Sequence, residues 1–149
     1  MRKVIFLLCL LMIPCIVSAQ TSDEQAIIQL LEKESATWRS GDIEAHAGCW
    51  AIKPYSRILI STLDGQVIDL PPQFMINPPE GVAGNGGTSS NSDYKIGING
   101  NSAIVSHNEV SISPDGIKTY SYEIRMLEKI NGSWKLIGQS IHQYEPEGS

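Results

Sequence analysis

The chain has 149 residues, of which 42% are hydrophobic, and a formal net charge of −5 at pH 7, which suits one folded domain. An acidic surface repels phosphate backbones and anionic lipids, so neither a nucleic acid nor a membrane surface is expected as a partner. The partners left are small molecules and other protein chains.

The first 19 residues have the pattern of a secretory signal sequence. Met1, Arg2 and Lys3 form a positive start, residues 4–17 are apolar, and Val17-Ser18-Ala19 is a small-residue cleavage site. A membrane anchor is the weaker alternative, because the apolar run has about 14 residues and a bilayer span needs roughly 20. We therefore expect a secreted or periplasmic domain of residues 20–149 that has no membrane partner after cleavage. It has 9 Lys and Arg residues against 16 Asp and Glu residues, a net charge of −7.

Two helices are predicted at the start of this domain. Ser22 and Gln25 form a capping-box pattern, and apolar residues follow at helical spacing, which predicts an amphipathic helix over residues 23–40. Gly41 ends this helix, and a short second helix is predicted over residues 43–50. The two helices are expected to cover one face of the domain as a pair.

Three ring-bearing side chains of these helices could reach one cavity: Trp38, His46 and Trp50. Packing in an aromatic core is the alternative for the two tryptophans, and a surface or capping position is expected for His46. Two of the three cysteines leave with the signal sequence, so Cys49 cannot form an intramolecular disulfide. Its apolar helical surroundings favour a buried, unreactive thiol.

Beyond residue 54 the apolar pattern alternates with period two. Residues 55–62 and 66–70 are predicted strands. Residues 71–93, rich in proline, glycine and serine, fit no regular element and make a long loop for a compact domain. In this loop residues 74–76 are expected to contact the body, and residues 81–93 to stay mobile.

Three long strands with tight turns are predicted after a short strand at residues 94–98. They cover residues 102–113, 117–130 and 133–144. Asn131-Gly132 between the last two is a strong hairpin signal, because both central residues of a type I′ turn need positive φ.

The turns fix which side chains share a sheet face. A type I turn with a G1 bulge at Ser113-Pro114-Asp115-Gly116 is favoured by its proline and glycine positions. The resulting cross-strand pairs are Val105 with Arg125, His107 with Glu123, and Glu109 with Ser121. The Asn-Gly turn adds Trp134, Leu136, Gly138 and Ser140 to the face of Glu123 and Arg125. A plain four-residue loop would instead shift the first strand by one residue and remove His107 and Glu109 from this face.

Short motifs then follow in a specific order along the chain. They are Trp38 with Gly41-Asp42-Ile43-Glu44, Cys49-Trp50, Asn101-Ser102-Ala103-Ile104-Val105, and Glu123-Ile124-Arg125-Met126-Leu127 leading into Asn131-Gly132-Ser133-Trp134-Lys135-Leu136. In this order and spacing, over most of residues 20–149, the chain resembles the nuclear transport factor 2-like superfamily, also called SnoaL-like or cystatin-like. The resemblance implies an α+β fold in which a curved, mostly antiparallel sheet wraps around the N-terminal helix to form a cone.

The chain also resembles one ring-forming member, the association domain of calcium/calmodulin-dependent kinase, through its Glu-x-Arg and Gly-x-Trp residues. This resemblance implies that Arg125 points into the pocket, which agrees with the register from the turns. A second inward arginine of the kinase domain corresponds to Glu109 here, so a purely anionic ligand is not implied. The Asp and Tyr arrangement of ketosteroid isomerase is absent at matching positions, and that chemistry is not expected.

The predicted pocket holds charged and aromatic side chains. Its expected ligand-binding residues are Trp38, Trp50, Tyr55, Arg57, His107, Glu109, Glu123, Arg125 and Ser140. One interpretation is a non-catalytic domain for small-molecule binding or assembly, in which these groups form a satisfied polar network. The other is a cofactor-free isomerase, dehydratase or hydrolase. In that enzyme His107 or Glu109 acts as a base, Glu123 orients His107, and Arg125 stabilises negative charge.

No metal or other cofactor is expected. His46, His107 and His142 lie far apart in the sequence without a close-spaced ligand pair. Gly84, Gly86 and Gly87 lack the flanking strand and helix of a phosphate-binding loop.

The outer face of the predicted sheet is as apolar as the inner face. Its apolar side chains are Ile104, Val110, Ile112, Tyr120, Tyr122, Ile124, Met126, Ile130, Ile137 and Ile141. A monomer rarely exposes such a surface, so a homodimer through this outer face is expected.

Overall fold

The computed structural model describes residues 15–146, with side chains from residue 22 onward. Residues 1–14 of the predicted signal sequence lie outside the described residues. The elements in chain order are α1 (Cys15–Ser40), α2 (Ile43–Ala47), β1 (Ile58–Ser61), β2 (Val67–Leu70), a 3-10 segment (Pro72–Met75), β3 (Thr88–Asn99), β4 (Ser102–Ile112), β5 (Lys118–Ile130) and β6 (Ser133–Tyr144). Within the described residues, no helix combines the length and apolar character needed to cross a bilayer.

Six strands form one curved sheet in the order β2-β1-β6-β5-β4-β3. All neighbouring strands are antiparallel except β1 and β6, which run parallel. The buried core that joins α1 to the sheet includes Ile27, Leu31, Ile58, Val105, Leu127 and Leu136. This arrangement is the predicted α+β fold.

Helix α1 begins earlier than the capping pattern indicated. No proline or glycine lies between Cys15 and Asp23, so nothing in that stretch breaks the helix, and Ser22 is an exposed residue inside it. Gly41 ends the helix at φ +75°, as predicted. Asp42 then caps α2 by accepting a hydrogen bond from the backbone amide of Ala45 at 3.0 Å.

The irregular segment is shorter than predicted, because β3 begins at Thr88. Residues 88–92 pair with β4 from Thr88↔Ile112 to Ser92↔Asn108, and the strand then bulges where Asp93 has φ +56°. The expectation that residues 81–93 stay mobile is therefore wrong for residues 88–93. Their serine-rich sequence disfavours a strand, but the long edge of β4 supplies the backbone partners.

The predicted register of β4 and β5 is confirmed. Val105 pairs with Arg125, His107 with Glu123 and Glu109 with Ser121. The type I′ hairpin is also present, since Asn131 and Gly132 have φ values of +51° and +80° and Ile130 pairs with Ser133.

A β-bulge then changes the second half of β6. Leu127 pairs with Leu136, but Met126 pairs with Gly138 and Arg125 with Gln139, so one extra residue lies in β6. Gln139, Ile141 and Gln143 consequently turn inward. The predictions of an inward Ser140 and an outward Ile141 are both wrong.

The bulge lies where β1 joins the sheet. The amide of Gln139 donates to the carbonyl of Arg57 at 3.0 Å, and a Cβ on Gly138 would lie 3.1 Å from that carbonyl and 2.6 Å from Cε of Met126. A side chain at this position would displace the Met126 methyl group and press on the backbone of β1. The bulge therefore coincides with a close tertiary contact with β1.

Candidate functional site

A cavity of about 460 Å³, called the central cavity here, lies between α1 and the sheet. The apolar part of its lining, called the apolar wall here, comprises Ile60, Leu70, Phe74, Met75, Val82 and Ile141. The polar part, which includes the charged floor, comprises Glu34, Ser35, Arg39, Glu109, Ser111, Thr119, Ser121, Glu123, Arg125, Gln139 and Gln143. Trp38 completes the lining. Most of the apolar residues come from β1, β2 and the segment after β2, whereas on β6 Ile141 lies between Gln139 and Gln143.

Arg125 is the centre of the floor and is only 5% exposed. Its Nη2 donates to Oε2 of Glu123, and its Nη1 donates to Oε1 of Gln139 and lies 3.5 Å from Oε2 of Glu34. Oε1 of Glu123 accepts a hydrogen bond from the hydroxyl of Ser121 at 3.0 Å. The guanidinium head is therefore held by three side chains, while its buried Nε has no partner among the described residues.

Glu34 connects this floor to α2. Its Oε1 lies 3.0 Å from Nε2 of His46 and accepts from Nε1 of Trp50 at 3.3 Å. Burial alone would raise the pKa of Glu34, but the charge of Arg125 and the contacts with His46 and Trp50 outweigh it, so the pKa is lowered. Glu34 is therefore ionised at neutral pH.

His46 is fully buried, so the predicted surface or capping position is wrong. Its Nδ1 lies 2.8 Å from the carbonyl of Met75. A carbonyl only accepts, so Nδ1 carries a hydrogen and donates it. The imidazole links the 3-10 segment to Glu34.

Glu109 and Arg39 form a second ion pair on the polar wall. Nη2 of Arg39 donates to Oε1 of Glu109 and to the hydroxyl of Ser111, both at 2.7 Å, and Nη1 donates to the hydroxyl of Ser35 at 3.0 Å. Burial and the neighbouring charge of Glu123 outweigh the attraction of Arg39 and raise the pKa of Glu109. This carboxylate takes up a proton more readily than an exposed one.

His107 lies beside Glu123, as predicted, but it does not line the central cavity. Its Nε2 is 3.7 Å from Oε2 of Glu123 and is buried without a hydrogen bond among the described residues. Its ring packs against Tyr94 with centroids 5.2 Å apart. Burial, followed by the charge of Arg125, lowers its pKa, so the imidazole is neutral.

Four other predicted ligand-binding residues lie outside the cavity. Trp50 is in the core, Tyr55 is 64% exposed, and Arg57 forms an exposed ion pair with Asp69. Ile58, the first residue of β1, is fully buried, so the preceding Arg57 points to the opposite face, and Tyr55 lies before the strand begins. Ser140 lies on the outer face. Of the predicted set, Trp38, Glu109, Glu123 and Arg125 line the cavity.

Sequence reasoning missed several cavity residues: Glu34, Ser35, Arg39, Ser111, Ser121 and Gln139. A signal for the first two was present, because they continue the buried stripe of α1 one turn after Leu31. A carboxylate on an otherwise apolar helix face requires a buried partner. For Gln139 no local signal exists, because its position depends on the β6 bulge.

Comparison with known proteins adds information on the fold. No protein-family model and no curated protein matches the chain. Solved structures do match, among them a cystatin-like protein of unknown function from Nostoc punctiforme, with 16% identity, a TM-score of 0.65, and coverage of 85% of this chain and 93% of that chain. The chain has the nuclear transport factor 2-like fold.

Two further structures agree with this fold. A nuclear transport factor 2-like protein from Cytophaga hutchinsonii has 17% identity and a TM-score of 0.63, covering 81% of this chain and 98% of that one. The association domain of C. elegans calcium/calmodulin-dependent kinase II has 15% identity and a TM-score of 0.63, with coverage of 83% and 98%. Both the superfamily-type fold and the similarity to the kinase association domain are as predicted.

Proposed function

We propose that this nuclear transport factor 2-like domain binds a small organic molecule in the central cavity. The observation that carries the proposal is an open cavity of about 460 Å³ with one apolar wall and a buried charged floor. Ligand sites typically have about 300–1,000 Å³ of space, apolar walls and a few fixed polar groups that set orientation. A ligand with an apolar body and a polar head fits this division.

The test is a thermal-shift screen of a metabolite set with a variant that blocks the cavity. Val82→Trp places a large side chain on the apolar wall and leaves the buried ion pairs intact. Val67→Trp is the matched control, because Val67 is 70% exposed and does not line the cavity.

A ligand at about 100 times its Kd stabilises the folded state by roughly 2.7 kcal/mol. We expect this stabilisation in the wild type and in Val67→Trp, and its loss in Val82→Trp. Compounds that stabilise all three proteins equally would place binding elsewhere, and a complete metabolite set without any selective hit would contradict the proposal.

The second candidate function is a cofactor-free acid–base enzyme, favoured by the raised pKa of Glu109 beside Glu123 in the same cavity. A cavity carboxyl group whose surroundings raise its pKa is a common general acid or base. Glu109 is the proton donor or acceptor in this candidate, and Arg125 stabilises developing negative charge. Once a substrate is known, Glu109→Gln should abolish turnover while binding remains; unchanged turnover would eliminate the enzyme.

We also propose a homodimer through the outer face of the sheet. Four large apolar side chains of β4 and β5 are exposed there, with Ile104 at 56%, Tyr122 at 52%, Ile124 at 39% and Met126 at 37%. Covering about 300 Å² of this apolar surface contributes on the order of 7 kcal/mol before the association costs. The name of the kinase association domain supports assembly as a use of this fold.

Sedimentation velocity at micromolar concentration tests the dimer. The wild type should sediment with twice the monomer mass, and Ile124→Glu as a monomer. Leu63→Glu places the same charge on an exposed apolar residue of the turn between β1 and β2, outside the sheet face, and should remain a dimer. A monomeric wild type would contradict the proposal.

Export is a third proposal, supported by the positive start, apolar run and small-residue site of residues 1–19. Cleavage after Ala19 leaves Gln20 as the first residue. N-terminal sequencing of the protein from periplasm or medium should start there, and a cytoplasmic protein that retains Met1 would contradict export.

A further inference from the structure

The two arginines of the central cavity differ in the number of side chains that hold their charge. The head of Arg125 is held by Glu34, Glu123 and Gln139 at the buried floor. Among the described residues Arg39 has one carboxylate partner, Glu109, and its other contacts are with neutral oxygens. Replacement of that one carboxylate would therefore leave the Arg39 guanidinium available to a ligand.

Arg39 also lies where a ligand can reach it. A second cavity of about 350 Å³, called the outer cavity here, adjoins the central one and shares Trp38, Arg39, Ser111 and Thr119 with it. The Arg39 side chain is 15% exposed, in contrast to 6% for Arg125. A ligand in either cavity can therefore contact the Arg39 guanidinium.

The charges around Glu109 favour its replacement by a ligand anion. Arg39 faces Glu109 from α1, and Glu123 and Arg125 face it from β5. Strand β3 contributes the hydroxyl of Ser89, which lies 2.8 Å from the hydroxyl of Ser35, a neighbour of Glu109. Burial and the negative charge of Glu123 raise the pKa of Glu109. Protonation of Glu109 therefore removes a negative charge that its surroundings disfavour. Once Glu109 is neutral, Glu34 and Glu123 still hold Arg125, and Arg39 has no carboxylate left.

We propose that the ligand is an amphipathic monocarboxylate whose head group replaces Glu109 on Arg39 while Glu109 takes up a proton. The ligand carboxylate accepts the hydrogen bonds of the guanidinium, and one proton from solvent binds to Glu109, so the charge of the cavity is conserved. The apolar body lies against Trp38, Phe74 and Val82. This inference rests on the proposed binding function and specifies its ligand class.

Three probes with one apolar body separate the possible head groups: 4-phenylbutanoate, 4-phenylbutanamide and 4-phenylbutylamine. Titration calorimetry at pH 5.5 and pH 7.5, in buffers of different ionisation enthalpy, measures affinity and proton uptake. Amide and methyl NMR shifts of the cavity residues locate the binding. The variants are Arg39→Gln, Glu109→Gln as a neutral mimic, and Arg57→Gln as a control, because Arg57 is an exposed arginine outside the cavity.

The carboxylate should bind the wild type about tenfold more tightly than the amide, with uptake of up to one proton. Its affinity should rise from pH 7.5 to pH 5.5, by up to about tenfold per pH unit above the pKa of Glu109. Glu109→Gln should bind tightly at both pH values without proton uptake. Arg39→Gln should lose the preference for the carboxylate and still bind the amide, and Arg57→Gln should behave as the wild type.

Three outcomes would overturn the inference. Tighter binding of the amine or the amide in the cavity would refute the carboxylate class but support small-molecule binding. Carboxylate binding that survives Arg39→Gln unchanged, or that takes up no proton, would refute the exchange with Glu109. Failure of every probe to shift the cavity residues would also refute it, while the metabolite screen with Val82→Trp decides the binding function independently.

Discussion

Replacing Arg125 by methionine is the sharpest test of the buried charge network. Methionine resembles the aliphatic part of the arginine side chain and has no charge, so the change removes the cation that Glu34 and Glu123 share. Glu34 keeps its contacts with His46 and Trp50, but Glu123, at 3% exposure, keeps a hydrogen bond from Ser121 and the neutral His107 ring at 3.7 Å, with no cation beside it among the described residues. Most of the loss should therefore arise at Glu123.

Removing one partner of a buried ion pair destabilises a protein by roughly 3–5 kcal/mol, because the other charge stays buried and unpaired. We expect a loss of this size at pH 7.5. The double variant Arg125→Met with Glu123→Gln removes the orphaned charge and should recover part of the loss. Urea unfolding followed by tryptophan fluorescence measures it, since Trp50 and Trp134 are both 5% exposed.

The pH dependence of the unfolding free energy provides a second test of the role of Arg125. In the wild type the lowered pKa of Glu34 gives stability above its unfolded pKa, and this stability is lost as pH falls through the folded value. Without Arg125 the largest influence that lowers the pKa of Glu34 is gone while burial still raises it, so Glu34 takes up a proton at a higher pH in the variant and the penalty shrinks on acidification. The difference in unfolding free energy between the wild type and Arg125→Met should therefore become smaller from pH 7.5 to pH 5.

The control is Leu127→Ala on the same strand, where Leu127 is 1% exposed. A buried Leu→Ala change costs about 2.7–5 kcal/mol through lost contacts and a cavity, with no titrating group involved. The loss of unfolding free energy in Leu127→Ala should be equal at pH 7.5 and pH 5. A loss below about 1 kcal/mol for Arg125→Met, or a gap that does not change with pH, would refute the description of Arg125 as the neutralising partner.

Three further variants test other parts of the fold. Gly138→Ala adds a Cβ 3.1 Å from the backbone carbonyl of Arg57, which cannot rotate away, so denaturation should show a loss of about 1–3 kcal/mol; full stability would contradict the close approach of β1. Glu109 has a raised pKa, so its contribution falls as pH rises from its unfolded value through its folded value; Glu109→Gln should flatten stability between pH 5 and pH 7.5, and an unchanged slope would count against this. Asp42→Ala removes the cap bonded to Ala45 and should lower stability by about 0.5–2 kcal/mol in the same assay, whereas Asp42→Asn should retain most of it.

The register of β4 and β5 could be predicted because short-range chemistry determines it. Gly116 adopts φ +87°, and Asn131 and Gly132 both adopt positive φ, as the turn types require. From these turns the pairing of Glu109, His107 and Arg125 follows by counting residues. The inward position of Arg125 was therefore accessible without any tertiary information.

The second half of β6 could not be predicted in this way. Its bulge accompanies the approach of β1 at Gly138, a contact between segments about 80 residues apart in the sequence, and no local pattern signals it. One inserted residue moved Gln139 into the cavity and Ser140 out of it. The prediction for Thr88–Asp93 was wrong for a similar reason. Backbone pairing with the edge of β4 compensates there for a weak local strand propensity.

The charged groups of the cavity are difficult to explain by stability alone. The apolar core around Ile27, Leu31 and Leu136 already joins α1 to the sheet. Replacing a buried ion network by well-packed apolar side chains is often neutral or stabilising by about 1–4 kcal/mol. A network that borders an open cavity instead offers fixed charges and hydrogen-bond donors to whatever enters. Arg39 is the member of this set with a single, readily protonated carboxylate partner, so the site is poised to exchange that partner for a ligand.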